Sequence, residues 1–123
     1  MSVITEFRNE RKFLRLSFFD DVVDVVAESF TITREQLFSK SKKPIVVDAR
    51  RSVMFICYIN SMPISYIKNL MASNGFDPKS DTIKRSLAYM EARMAKDNYF
   101  HEMVYELYNL CLTREPGKKL REH

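Results

Sequence analysis

Five cationic residues lie close together in the sequence, around the single carboxylate of Asp48. The window from residue 40 to residue 51 carries a net charge of +4, which equals the net charge of the whole 123-residue chain. Cations at this density neutralise phosphates and release the counterions condensed on DNA. The pattern indicates either a nucleic-acid contact surface or a solvated basic loop, and charge alone leaves both open. The five cations are Lys40, Lys42, Lys43, Arg50 and Arg51.

Residues that could support catalysis are few and scattered. The histidines are His101 and His123, and neither lies near a cysteine or serine in a recognisable catalytic arrangement. Cys57 and Cys111 lack the paired spacing of a metal or redox site, so we interpret them as small core residues. No G-x-x-x-x-G-K-[ST] motif is present to hold a nucleotide. We therefore expect no enzyme, no metal and no cofactor.

Composition and periodicity predict one all-α domain. Hydrophobic residues make up 46% of the chain and charged residues 29%, as in ordinary globular proteins. The chain has only 2 glycines and 4 prolines, and apolar residues recur between them at three- and four-residue spacing. We expect a compact multi-helix domain. No apolar stretch reaches the roughly 18 residues of a membrane span, and no signal peptide is visible, so we expect a cytoplasmic protein.

Local signals place the basic residues immediately before a helix. The run from Thr33 to Gln36 is a capping box, which predicts the start of a short helix. Pro44 disfavours helical geometry at Lys43, so the lysines should lie in a loop. A helix over about 46–58 follows, and its positive N-terminal end attracts anions.

The second half of the chain predicts a helix-turn-helix followed by one more helix. Pro63 suits the first turn of a helix that Asn74-Gly75 ends. A turn over 76–80 then leads into a helix from about Thr82 to Lys96, which Ser80 or Asp81 would cap. Helix, short turn and helix is an organisation that DNA-reading proteins use. The final helix should run over about 99–112.

Apolar stripes at helical spacing predict the core. We divide the chain into an arm or first helix (1–17), the main helical domain (18–96), an additional helix packed on it (97–115) and a loose tail (116–123). The predicted core residues are Phe19, Val22, Val23, Val26, Phe30, Val46, Ala49, Val53, Ile56, Cys57, Ile64, Ile67, Leu70, Met71, Ile83, Leu87, Met90 and Met94.

The run from Phe30 to Phe55 resembles the start of the C-terminal DNA-binding domain of the bacterial replication initiator DnaA. The similar features are a short helix, a basic loop and a helix that opens with Asp48-Ala49-Arg50, and the resemblance covers about residues 18–95. In that family the basic loop and the arginine that matches Arg50 contact DNA, and a helix-turn-helix enters the major groove. The resemblance implies a double-stranded DNA partner and assigns contact roles first to Lys42 and Arg50.

The chain departs from that family in two places. The family usually has glutamine where this chain has Arg51, and its glycine-rich recognition signature corresponds to the longer stretch 74–82, in which only Thr82 is in register. Base specificity should therefore differ. Side chains in the first turns of the reading helix contact bases and phosphates. The predicted DNA-contacting residues are Lys40, Lys42, Lys43, Arg50, Arg51, Lys79, Ser80, Thr82, Lys84 and Arg85.

Two functions follow as expectations. The first is a duplex DNA-binding protein without ATPase, acting as a replication accessory factor or a transcriptional regulator, or encoded by a phage or mobile element. The alternative is a protein-interaction module that keeps the DnaA-like scaffold without binding DNA. Its partner would bind the aromatic side chains of the last helix, which are Tyr99, Phe100, Tyr105 and Tyr108.

Overall fold

Six α-helices are found in the computed structural model, which describes residues 3–114 and, within them, side chains from residue 15 onward. The residues described contain no β-strand, so the all-α prediction is confirmed. None of their helices is long and apolar enough to cross a membrane. The helices are α1 (Val3–Phe30), α2 (Arg34–Leu37), α3 (Pro44–Ile59), α4 (Ile64–Ser73), α5 (Ser80–Lys96) and α6 (Asn98–Thr113).

Three predicted boundaries differ from the structure. The boundary after residue 17 falls inside α1, which runs unbroken from Val3 to Phe30. Ser80 is the first residue of α5 and Asp81 the second, so neither caps this helix; Lys79 is the N-cap and makes no side-chain capping bond. Pro63 precedes α4 as its N-cap. The predicted tail, 116–123, lies outside the described residues.

The core forms where α1 and α3 pack together and the later helices close around them. α1 contacts α2, α3 and α6, while α3 also contacts α4 and α5. Among the predicted core residues only Phe30 and Ile64 are less than fully buried, and both pack against the buried cluster. The valines of α1 are poor helix formers, so tertiary packing on α3 and α6 stabilises this helix.

Three helices end in the same local motif. Thr31, Ser61 and Gly75 follow α1, α3 and α4 with φ values of 56°, 70° and 108°. At each end, this residue and the next donate backbone hydrogen bonds to carbonyls three and five residues earlier, which defines a Schellman motif. Asn74-Gly75 ends α4 as predicted. The apolar residues that follow the three ends are Ile32, Met62 and Phe76, and all three pack in or against the core.

The short helix α2 is fixed from both sides. Thr33 Oγ1 accepts from the Gln36 amide at 3.0 Å, and Gln36 Oε1 accepts from the Thr33 amide at 2.8 Å, so the predicted capping box is present. Arg34 donates to Asp20 on α1 at 2.9 Å and to Asn74 after α4 at 3.2 Å. Because α2 is held in this way, the loop that follows it starts from a defined position.

Candidate nucleic-acid interface

The basic loop connects α2 to α3 and exposes its lysines. Lys40, Lys42 and Lys43 are all exposed, and none of them has an ion-pair partner in the described part of the chain. Two serines order the backbone between them. Ser39 Oγ accepts from the Ser41 amide and Ser41 Oγ accepts from the Lys43 amide, each at 3.2 Å. Lys43 is the N-cap of α3 and Pro44 its first residue, so the lysines lie before the helix as predicted, while the helix itself begins two residues earlier than the predicted 46.

Arg50 lies beneath this loop, and its side chain is only 6% exposed. Its guanidinium donates to the carbonyl oxygens of Leu37 at 3.3 Å, Ser39 at 2.7 Å and Ser41 at 2.6 Å. It also stacks on Phe76, with Cζ 4.5 Å from the ring centroid. Desolvation by burial, together with the charge of Arg51, lowers the pKa of Arg50. The loop carbonyls thus hold this guanidinium within the protein, and the predicted contact of Arg50 with DNA stays a prediction.

Arg51, on the outer side of α3, joins α3 to α5. Its guanidinium donates to Asp48 at 3.4 Å and stacks over Tyr89 at 3.8 Å from the ring centroid. Asp48 also accepts from Arg93 at 3.2 Å, so two arginines share one carboxylate. Burial disfavours the charged form of Arg93, but the hydrogen bond to Asp48, the charge of Asp48 and the interaction with Tyr89 together outweigh this effect and raise the pKa of Arg93. Arg51 is half-buried, and part of its charge is balanced within the protein.

The beginning of α5 presents most of the remaining predicted residues to solvent. Lys79, Ser80, Lys84 and Arg85 are exposed, and Thr82 is half-buried. On the opposite side of the helix, the stripe from Ile83 to Met94 is buried. The exposed cations can therefore approach a large anionic partner while the apolar stripe holds the helix on the protein.

The turn before α5 brings the basic loop and α5 together. Phe76 in this turn stacks on Arg50, which in turn holds the loop carbonyls. A cleft of about 160 Å³ separates α3 from α5, and Thr82 and Ser86 line it together with Arg50, Arg51 and Phe76. Arg50 thus contacts both the backbone of the basic loop and the turn that leads into α5.

Three residues of this region were missed by sequence reasoning. Tyr89 supports Arg51, Phe76 supports Arg50, and Arg93 binds Asp48 from 45 residues away. The sequence did hold a signal for an ion pair at Asp48, because Asp48 is the one carboxylate within the cationic window. Nothing in the spacing indicated the two aromatic partners.

The aromatic residues of α6 are not a continuous exposed surface. Phe100 is buried beneath Arg93, whose Cζ lies 3.8 Å from the ring centroid. Tyr108 is half-buried and donates to Asn60 at 3.2 Å. Tyr105 lies against the exposed His101, with ring centroids 4.9 Å apart. Tyr99, by contrast, is 86% exposed.

Both cysteines are free and buried, as interpreted from the sequence. Burial raises the pKa of the Cys57 thiol far above its usual value and that of Cys111 to about 12. Thiols held protonated in this way are poor nucleophiles and poor metal ligands. Among the side chains described, from residue 15 to residue 114, no group of three or more histidine, cysteine or acidic residues could hold a metal ion.

Comparison of the chain with protein-family models, with curated proteins and with solved structures found no significant match.

Proposed function

We propose that this protein binds duplex DNA through a surface made of the basic loop, residues 40–43, and the first turns of α5. The observation that carries the proposal is the contact of Arg50 with both the loop and Phe76. Arg50 thereby links the loop that exposes three lysines to the turn that leads into α5, the helix that exposes Lys84 and Arg85. The resemblance of residues 18–95 to the DNA-binding domain of DnaA supports the same function.

In this proposal, α4 and α5 act as a helix-turn-helix, with residues 74–79 as the turn. α4 packs against α5, and α5 packs on α3, so the exposed side of α5 is rigidly supported. A recognition helix enters the major groove with its N-terminal residues contacting base edges. Lys84 and Arg85 lie in the first two turns of α5, where such contacts are made.

The loop lysines and the α5 side chains would have different tasks. Lys40, Lys42 and Lys43 are flexible point charges next to the N-terminus of α3, and they suit phosphate oxygens. Arg85 can form the bidentate pair with a guanine edge that specifies sequence. The loop would fix the position of the protein on the duplex, and α5 would read the base sequence.

As a biological role, we propose a cytoplasmic, non-enzymatic replication accessory factor or transcriptional regulator, which a phage or mobile element could encode. The chain has no motif for binding a nucleotide, so it would occupy DNA sites without ATP-driven assembly. Both roles require only that a preferred site be bound.

Selection of bound sequences from random duplex DNA tests the proposed function directly. We expect an enriched motif and an affinity that falls steeply with salt, by about 0.9 log unit per log unit of salt for each phosphate neutralised. Absence of any mobility shift on duplex DNA at low salt would remove the proposal. Binding without an enriched motif would still support DNA contacts by the loop, but it would exclude a role of α5 in reading the base sequence.

Arg85→Ala is expected to relax sequence preference more than it lowers non-specific affinity. An arginine paired with guanine contributes roughly 1–3 kcal/mol of discrimination against the wrong base. The measurement is the ratio of affinities for the selected site and a scrambled duplex, and Lys42→Ala is the control, because a phosphate contact should affect both duplexes equally. If Arg85→Ala keeps the preferred site and an Arg51 variant changes it, the reading surface lies on α3.

The alternative, a protein-interaction module on α6, has weaker support. Phe100 and Tyr108 pack inward, which leaves Tyr99 and Tyr105 exposed among the four aromatics that suggested it, and Tyr105 lies against His101. A specific interface buries about 800 Å² on each partner, which two tyrosines do not supply by themselves.

A further inference from the structure

The buried guanidinium of Arg50 has no acidic partner among the described residues. In the part of the chain that the structure describes, no carboxylate pairs with its guanidinium, which donates only to main-chain carbonyls and stacks on Phe76. A buried charge without such bonds would be strongly disfavoured, so the three carbonyls determine where the side chain lies. Arg50 is therefore committed to the backbone of the loop.

These contacts join Arg50 to two segments that are distant from each other in the chain, residues 37–41 and the turn before α5. The Leu37 carbonyl belongs to the end of α2, the Ser39 carbonyl directly precedes the basic loop, the Ser41 carbonyl belongs to it, and Phe76 belongs to the turn before α5. A planar guanidinium presents its donors in a fixed fork, whereas the ammonium of lysine is a single point of charge. Lysine at position 50 could replace one of the three bonds but could not hold the arrangement.

We propose that Arg50 is a positioning residue, which fixes the basic loop against the turn before α5 so that both contact one duplex in a set relation. Arg50 itself does not touch the DNA. The functional half of this inference rests on the proposed DNA binding, whereas the structural half concerns the free protein. The two halves can therefore fail separately.

The experiment compares Arg50→Lys and Arg50→Met in the full chain. Backbone amide exchange of Ser41 and Lys43, measured by NMR without DNA, should accelerate in both variants by roughly tenfold as the loop opens locally. Amides in the core of α5, such as that of Met90, should keep wild-type protection. Arg51→Met is the matched control, because the neighbouring Arg51 makes no bond to the loop.

DNA binding gives the second readout. Both Arg50 variants should bind the selected duplex roughly tenfold more weakly, because the loop must now be ordered during binding. Their salt dependence should stay close to that of the wild type, because the lysines still reach the phosphates. A direct phosphate contact would instead let Arg50→Lys keep its affinity and would lower the salt slope of Arg50→Met by about 0.9.

The outcomes of these experiments separate the structural half of the inference from its functional half. Unchanged loop exchange in both variants overturns the positioning role, and so does rescue of affinity by lysine. If the wild type binds no duplex DNA while the loop exchange rises as expected, the proposed function fails and the structural role of Arg50 stands. Should the variants not fold, the wild-type guanidinium is measured instead: slow rotation of its Nη groups, with and without DNA, is expected, and free rotation contradicts the inference.

Discussion

Replacement of Lys40, Lys42 and Lys43 by alanine is expected to weaken binding to duplex DNA by about 500-fold near 0.1 M salt. Each phosphate that a lysine neutralises contributes about 0.9 to the slope of log affinity against log salt, so three contacts contribute about 2.7 log units of affinity when salt falls from about 1 M to about 0.1 M. The same substitutions should lower the salt slope by about 2.7. Fluorescence anisotropy titrations at several salt concentrations measure both quantities.

Lys96→Ala is the control for this triple substitution. Lys96 is exposed like the loop lysines, but it is the last residue of α5, roughly 24 Å along the helix from Ser80 at 1.5 Å per residue. Its removal should change the slope by much less than the about 0.9 that one phosphate contact contributes. An unchanged slope in the triple variant, with a wild-type circular dichroism spectrum, would show that the loop does not contact DNA.

Phe19→Ala is expected to lower the free energy of unfolding by about 3–5 kcal/mol, the range found when a buried aromatic side chain is removed. Phe19 is 0% exposed, and its ring stacks with that of Phe38 at 6.3 Å between centroids. The substitution would leave a cavity where α1 meets the end of α2. Urea denaturation followed by circular dichroism measures the change.

The matched control removes an aromatic ring from the surface. Tyr99→Ala should change the free energy of unfolding by less than about 0.5 kcal/mol, because Tyr99 is 86% exposed. A loss below about 1 kcal/mol for Phe19→Ala would contradict this prediction and would mean that the core around α1 closes over the gap.

Those parts of the fold that depend on neighbouring residues could be predicted from the sequence. Helical spacing of apolar residues predicted the buried stripes, the capping box at Thr33 predicted α2, and Asn74-Gly75 predicted the end of α4. Each signal acts within a few residues, through hydrogen bonds or through the face of one helix. The start of α5 was predicted at about Thr82, two residues too late, because a helix can begin without a side-chain capping bond. Lys79, the N-cap of α5, makes no such bond.

The arrangement of the interface could not be predicted, because it depends on contacts between distant segments. Arg93 lies 45 residues from Asp48 in the sequence and binds it at 3.2 Å. The burial of Arg50, however, could have been predicted from the sequence. Arg50 lies four residues after Val46 and three before Val53, so it shares the apolar face of α3, where an arginine must find partners inside the protein.

The three Schellman motifs also bear on how quickly the chain finds its fold. Each motif closes through hydrogen bonds that span at most five residues, so the ends of α1, α3 and α4 can form before any distant contact exists. Closing so short a loop costs little entropy, and proteins rich in local contacts fold fast. We therefore expect the conformational search to concern mainly how preformed helices dock, with the long-range arrangement around Arg50 among the later events.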